Sequence, residues 1–162
     1  MAIVISDTSP IRALAQLNRM DLLPSLFDQV LVPPAVDAEL RSPPGQLPFV
    51  DVRQLAFARI QAPSDRKRVG ELERVLDPGE SEALALAIEL GVGTILIDEA
   101  AGRSMAKRLG LSPIGVLGLL VRGKERGHVI SVEPLLDQLE SDLGFFISKS
   151  LRTEVLRLAD EL

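Results

Sequence analysis

An apolar run that ends on a carboxylate opens the chain. Residues 2–6 read Ala-Ile-Val-Ile-Ser and are followed directly by Asp7. A short run of Ile and Val is typical of a strand that is buried on both faces of a parallel sheet. Ser9 and Pro10 suit the N-cap and the first position of a helix. The pattern predicts that Asp7 lies at a strand-to-helix junction, where open α/β sheets bind ligands; the alternative is that Asp7 only caps the helix.

The same pattern returns near the middle of the chain. Residues 94–97 form a second apolar run, Asp98 and Glu99 follow it, and residues 100–109 have the character of a helix. The carboxyl ends of neighbouring parallel strands meet at one edge of a sheet. The repetition therefore predicts an α/β fold that brings Asp7 close to Asp98.

The rest of the chain fits this α/β pattern. Further strands are predicted at residues 29–32, 49–55 and 112–115, the second of them nearer an edge of the sheet. Helical patterns separate the strands, and no linker or internal repeat interrupts the sequence, so we expect one domain over residues 1–162. From about residue 131, Leu-rich stripes predict C-terminal helices that pack on the domain or form an interface.

Residues 77–80 carry the signals of a helix start. Asp77 suits the N-cap, Pro78 the first helical position and Glu80 the acid of a capping box. Glu80 therefore has a structural explanation, whereas Glu82 is not needed for capping. The structural alternative for Glu82 is that the helix dipole favours acids in the first turn.

The side chains available for chemistry are carboxylates, hydroxyls, Arg and Lys. The chain has no cysteine and a single histidine, His128. This excludes a thiolate nucleophile and argues against a Ser/His/Asp triad or a multi-histidine metal site. Carboxylate oxygens are the ligands that Mg²⁺ and Mn²⁺ prefer.

Location and charge give two further expectations. The sequence has no signal peptide, and no apolar run approaches the roughly 18 residues that span a bilayer. We expect a cytoplasmic protein without membrane contact, and the absence of cysteine suits a reducing compartment. The formal net charge of −5 argues against a bulk electrostatic attraction to nucleic acid, but it allows nucleic acid as a substrate held by local Arg and Lys residues.

Four acidic positions stand where a doubly wound sheet would bring them together. They are Asp7, Glu39, Glu82 and either Asp98 or Glu99. A bare group of four carboxylates repels itself and is stable only when it is protonated or neutralised by cations. Two Mg²⁺ or Mn²⁺ ions about 4 Å apart can activate a water and stabilise the leaving oxygen in phosphodiester hydrolysis. Metal binding is the simplest function for these residues.

Two basic segments are candidates for phosphate contacts. Arg103 and Lys107 lie one helical turn apart, and their structural alternative is a chain of ion pairs that begins with Glu99 and Arg103. Residues 66–68 read Arg-Lys-Arg and are interpreted as a solvated loop or helix start, with a phosphate-binding patch as the alternative.

Motifs along nearly the whole chain resemble those of the PIN-domain family, and more narrowly its VapC-related branch of bacterial and archaeal proteins. The resemblance rests on the order and spacing of the motifs together. They are Asp7-Thr8-Ser9, Val32-Pro33-Pro34-Ala35-Val36, Glu39-Leu40, Gly79-Glu80-Ser81-Glu82-Ala83, Ile97-Asp98-Glu99, Ala101-Gly102-Arg103, Gly115-Val116-Leu117-Gly118-Leu119-Leu120 and Gly144-Phe145-Phe146-Ile147-Ser148.

This resemblance implies a three-layer α/β/α fold around a parallel sheet of about five strands in the order 3-2-1-4-5. It also implies a ribonuclease site that uses Mg²⁺ or Mn²⁺. Carried over by position, Asp7, Glu82 and Asp98 are the expected metal ligands, with Glu99 as the alternative last acid. Glu39 is expected to complete the metal shell or to orient the attacking water.

The partners implied are an RNA substrate and, for a toxin of a toxin-antitoxin pair, a small antitoxin protein; we also expect a homodimer. A competing hypothesis is a PIN-fold module that binds without cleaving. A receiver-type or phosphatase-like protein is disfavoured, because no second acid stands beside Asp7.

Overall fold

The computed structural model of the protein describes residues 2–162 and contains a parallel sheet between two layers of helices. Within those residues the sheet has five strands in the order β3-β2-β1-β4-β5. The strands are β1 (Ile3–Ser6), β2 (Gln29–Val32), β3 (Ala58–Ile60), β4 (Thr94–Leu96) and β5 (Ser112–Ile114). The predicted α/β class and the strand order implied by the resemblance are therefore confirmed.

Helices connect the strands and continue beyond the last one. They are α1 (Thr8–Gln16), α2 (Leu22–Leu26), α3 (Pro34–Leu40), α4 (Arg66–Leu72), α5 (Pro78–Leu90), α6 (Ala100–Arg108), α7 (Val116–Glu125), α8 (Glu133–Leu143) and α9 (Lys149–Leu158), with a short 3-10 helix at Val52–Gln54. No helix among residues 2–162 has the length and apolar character needed to cross a membrane.

Alternating residues of the strands supply two hydrophobic cores, one on each face of the sheet. Val4 and Leu96 point to the core that α1–α3 and α7–α9 cover, and Ile5 and Ile95 point to the core that α4–α6 cover. These strand residues are fully buried, as expected for a parallel sheet with helices on both faces. The three layers follow directly from this two-sided burial.

The third strand differs from the prediction. Residues 49–55 were expected to form it, but this segment contains the 3-10 helix, and β3 follows at Ala58–Ile60. The Asp51 side chain accepts a hydrogen bond from the Arg53 backbone N–H and so favours a turn over a strand. β3 pairs with Val30, Leu31 and Val32 of β2, but it is only partly buried, so it lacks the apolar run that marks the central strands.

The starts of three helices can be compared with the capping signals in the sequence. α1 begins at Thr8, so the residue at its N-cap is Asp7 and the prediction of Ser9 is wrong. α4 begins at Arg66, where the Asp65 side chain accepts a bond from the Arg68 N–H. The predicted capping box of α5, between Asp77 and Glu80, is confirmed.

Candidate metal and catalytic site

Asp7 lies at the carboxyl end of the central strand. Its backbone N–H donates to the carbonyl of Leu96 at 2.9 Å, which continues the pairing of β1 with β4 by one residue. Asp7 occupies the N-cap position of α1, but its carboxylate forms no capping hydrogen bond within residues 2–162. The side chain is only 3% exposed. Helix capping therefore does not account for this buried carboxylate.

Asp7 and Glu39 meet beside the first turn of α5. A Cβ atom built on Gly79 would lie 2.8 Å from Glu39 Oε1 and 3.2 Å from Asp7 Oδ1. Both carboxylates thus face the position that this glycine leaves open. The Thr8 hydroxyl lies close to Glu39 without the geometry of a hydrogen bond, and it has no other partner in the described part of the chain.

Glu80 joins the same region through its capping box. Glu80 Oε1 accepts a long bond of 3.3 Å from the Asp77 N–H, and Asp77 Oδ1 accepts one of 2.8 Å from the Glu80 N–H. Glu80 Oε2 is buried and has no hydrogen-bond partner among residues 2–162. A Cβ on Gly102 would lie 2.7 Å from that oxygen, so Gly102 lets α6 approach it closely.

These side chains perturb one another electrostatically. Burial, together with the charges of Asp77, Glu80 and Glu39, raises the pKa of Asp7 to about 8, although the Thr8 backbone N–H lowers it in part. Burial also raises the pKa of Glu80 to about 7, with contributions from Asp77 and Glu99. The pKa of Glu39 is raised by burial and by Asp77. We call Asp7, Glu39, Asp77, Glu80 and Glu99 the acid cluster.

Asp98 faces the neighbouring helix. Its Oδ1 accepts a bond of 2.9 Å from the Val116 N–H, at the start of α7, while Oδ2 is buried without a partner in the described residues. Burial raises the pKa of Asp98, against the bond from Val116 and the nearby charge of Arg103. Arg103 donates to the Ile97 carbonyl at 3.1 Å, and Lys107 is exposed one turn further along α6.

Glu82 points to different partners. Its Oε1 accepts a bond of 2.8 Å from the Ala35 N–H, and its Oε2 pairs with Arg66 at 2.8 Å. α3 begins after Pro33, which has no side chain able to cap it, so Glu82 supplies an acceptor for its first turn. Both Glu82 oxygens are therefore occupied by protein groups.

The structure thus brings together some of the predicted residues and not others. Asp7 and Glu39 face each other, and Glu99 lies near Glu80, whereas Glu82 and Asp98 are bonded to the starts of α3 and α7. Sequence reasoning missed the contribution of Asp77 and Glu80 because their capping box already explained them. The available signal was Gly79, since a glycine in a first helical turn leaves room for other side chains.

The donors of the acid cluster suit a hard divalent cation. All of them are carboxylate oxygens, the ligands of Mg²⁺ and Mn²⁺, and their mutual repulsion falls when a cation binds. In their present rotamers, no three Asp, Glu or His side chains of residues 2–162 converge as a metal-binding group. The cluster therefore fits a cation in charge and ligand type, and its side chains would have to rotate before three of them could share one.

Comparison with known families agrees with the fold. The model of the DUF3368 family, described as a PIN domain, matches residues 3–161. The match runs from β1 to beyond α9 and includes the whole acid cluster. No curated protein matches the chain.

Proposed function

Because the chain belongs to the PIN-domain family, whose members are generally nucleases, we propose that it is a divalent-metal-dependent endoribonuclease that hydrolyses RNA phosphodiester bonds. The finer assignment to the VapC-related branch is part of this proposal. The observation that carries it is the meeting of buried carboxylates from β1, α3 and α5 at one edge of the sheet.

Such a cluster has an unfavourable energy unless a ligand compensates for it. Asp7 is 3% exposed and Glu80 5%, and an ionised carboxylate without a cationic partner is costly at such depth. Their raised pKa values express this cost. A bound divalent cation removes this energetic cost. Several acids gathered at one place are therefore expected of a cation-binding site.

In the proposed mechanism, Asp7, Glu39 and Glu80 would hold Mg²⁺ or Mn²⁺, and Glu99 would add negative charge at the exposed edge. A bound divalent cation lowers the pKa of its water and stabilises charge on the phosphate oxygens. Glu39 is half-buried beside the Thr8 hydroxyl, where its carboxylate would orient the attacking water and accept a proton from it. Arg12 is the cation whose charge acts on Glu39, and the remaining negative charge of the cluster would have to be neutralised before substrate phosphate approaches.

This assignment modifies two predicted metal ligands. Glu80 takes the place proposed from the sequence for Glu82, because Glu82 already accepts from Ala35 and Arg66. Asp98 accepts from the Val116 N–H at the start of α7 and is not assigned to the cation here.

The test is cleavage of a mixed pool of structured and single-stranded RNAs by the purified protein. We expect cutting with Mn²⁺ or Mg²⁺ that EDTA abolishes and that Asp7→Asn and Glu80→Gln both remove. A matched control is Glu140→Gln on α8, which should cut normally. Cutting that persists in EDTA or in Asp7→Asn would contradict the proposal.

A second candidate function is a PIN-fold module that binds RNA or protein without cleaving. The observation that favours it is the lack of three converging metal-binding side chains within the described residues. Calorimetry with Mn²⁺ separates the two functions. Binding that is lost in Asp7→Asn supports the nuclease, and no binding by the wild-type protein supports the inactive module.

We also propose that the nuclease is a toxin inhibited by a small antitoxin, and that it forms a homodimer. A groove of about 700 Å³ between α7 and α9 supports a protein partner. Its walls include Leu117, Val121 and the partly exposed Leu151 and Leu158, and Asp98 lies at one end. Light scattering of the purified chain tests the dimer.

A further inference from the structure

Glu82 connects two helices to the middle of α5. It is 7% exposed, and its two oxygens accept from the Ala35 N–H of α3 and from the guanidinium of Arg66 at the start of α4. Placing a carboxylate at such depth costs free energy that an ion pair with one exposed partner recovers only in part. The contact with Arg66 is therefore better explained by what it positions than by stability alone.

The start of α4 is held against α5 at two points. Besides the pair between Arg66 and Glu82, the Glu89 carboxylate accepts from the backbone N–H groups of Ser64 and Asp65, at 2.8 Å and 3.0 Å. One contact fixes the backbone before α4 and the other fixes the Arg66 side chain. The first turn of α4 consequently has a defined orientation on the surface of the protein.

Arg66 remains accessible although it is paired. Its side chain is 60% exposed, and the contact with Glu82 uses one terminal nitrogen of a group that carries five N–H donors. Lys67, the next residue, is also exposed. A guanidinium fixed at one nitrogen and exposed elsewhere is suited to bind a phosphate through its other donors.

Through Glu82 this basic turn lies beside the two helices that carry Glu39 and Glu80. Glu82 follows Gly79 by one turn of α5, and Ala35 precedes Glu39 by one turn of α3. Arg66 is held by Glu82 of α5, which also bonds to α3, and these two helices bring Glu80 and Glu39 to the site. RNA has to bring a phosphodiester to a negatively charged site in a chain of net charge −5, and a positive group beside these helices compensates the repulsion locally.

We propose that Arg66 binds an RNA backbone phosphate next to the one that is cleaved, with Lys67 beside it, and that Glu82 is a positioning residue that aims Arg66. This inference rests on the proposed ribonuclease function. It assigns Glu82 to substrate placement and leaves cation binding to Asp7, Glu39 and Glu80.

Binding of a fluorescent single-stranded RNA by Asp7→Asn protein, which is not expected to cut, provides the test. Adding Arg66→Gln should weaken binding about tenfold and reduce the slope of log affinity against log salt by about one. Arg74→Gln removes an equal charge beyond the other end of α4 and should leave binding within about twofold. Arg66→Lys should restore only part of the affinity, because Lys lacks the planar fork.

Glu82→Gln distinguishes a positioning residue from a metal ligand. In the otherwise wild-type protein we expect it to raise KM for RNA with a smaller change in kcat, and to leave Mn²⁺ affinity within about twofold, whereas Glu80→Gln should lower Mn²⁺ affinity about tenfold or more. Loss of Mn²⁺ binding in Glu82→Gln, or unchanged RNA affinity in Arg66→Gln, would overturn the inference.

The two proposals fail in different ways. RNA binding that depends on Arg66 in a protein that never cuts would support the inference and contradict the nuclease. Metal-dependent cutting that Arg66→Gln leaves unchanged in KM and salt slope would support the nuclease and contradict the inference.

Discussion

The carboxylates of Asp7 and Glu39 meet at the position that a side chain at Gly79 would occupy. The two side chains come from β1 and α3, and the glycine belongs to the first turn of α5. Three elements that are distant in sequence therefore define the centre of the acid cluster, and the lack of a side chain at residue 79 is part of its geometry.

Gly79→Ala should weaken cation binding. Its Cβ would lie 2.8 Å from Glu39 Oε1, closer than real Cβ contacts allow, so the carboxylate has to move. We expect Mn²⁺ affinity by calorimetry to fall about tenfold, while the higher helix propensity of alanine limits the loss of stability. Gly70→Ala on α4 is the control, since a Cβ there meets no described atom within 4 Å. Equal Mn²⁺ affinity in both variants would contradict this role of Gly79.

The stability of the cation-free protein should fall as the pH rises from 5 to 8. The folded state keeps protons on Asp7 and Glu80 up to pKa values of about 8 and about 7, while the unfolded chain releases them near pH 4. The unfolded state thus binds fewer protons in this window, so the free energy of unfolding decreases with pH and levels off above 8. Urea unfolding in EDTA measures this, and saturating Mn²⁺ should remove most of the slope. A flat or rising curve in EDTA would contradict it.

Asp7→Asn should abolish cleavage and yet stabilise the cation-free protein at pH 8. Asparagine has nearly the shape of the aspartate but stays neutral, so the cost of ionising a buried group disappears, on the order of a few kcal/mol. Asp21→Asn is the matched control and should lower the stability of the protein, because Arg19 stabilises ionised Asp21 and lowers its pKa. Urea midpoints at pH 8 in EDTA compare the two, and a lower midpoint for Asp7→Asn than for wild type would refute the prediction.

Glu161→Gln should destabilise the C-terminal region. Burial opposes ionisation of Glu161, but bonds from the Val132 N–H, Lys124, the Glu133 N–H and Ser131 outweigh it and lower its pKa to about 2. The stability that ionised Glu161 contributes is present above pH 4.5 and is lost as the pH falls towards 2. At pH 7 we expect a loss of about 1–3 kcal/mol in urea unfolding. Glu154→Gln, which breaks an exposed pair with Arg157, should cost much less, and similar losses in the two variants would count against the prediction.

The sheet was predictable where burial is complete. β1, β2 and β4 contain apolar residues that are almost fully buried, so their sequences carry the run that marks a central parallel strand. The prediction of β3 was wrong because Ala58 and Ile60 are only partly buried and Arg59 is exposed, so the strand is identified by its pairing with β2 rather than by its own pattern. Local signals such as the capping box of α5 were predicted correctly, because they depend only on residues that are close together in the sequence.

The site was less predictable, because its contacts join residues that are distant in sequence. Glu82 bonds to Ala35, 47 positions away, and Asp98 bonds to Val116, 18 positions away. Nothing in the sequence near either acid indicates that both oxygens of Glu82 and one oxygen of Asp98 accept hydrogen bonds from distant residues. Glu80 shows the reverse case, since one of its oxygens has a local partner and the other is buried without one among residues 2–162.

The capping box of α5 starts this helix and also affects the geometry of the site. The bonds between Asp77 and Glu80 that start the helix also set the direction in which Glu80 presents its other oxygen. Fraying of a single helical turn would therefore disassemble one wall of the site while every acidic residue is still present. In this protein, the geometry of the site depends on the formation of the first turn of α5 as well as on the presence of the acidic residues.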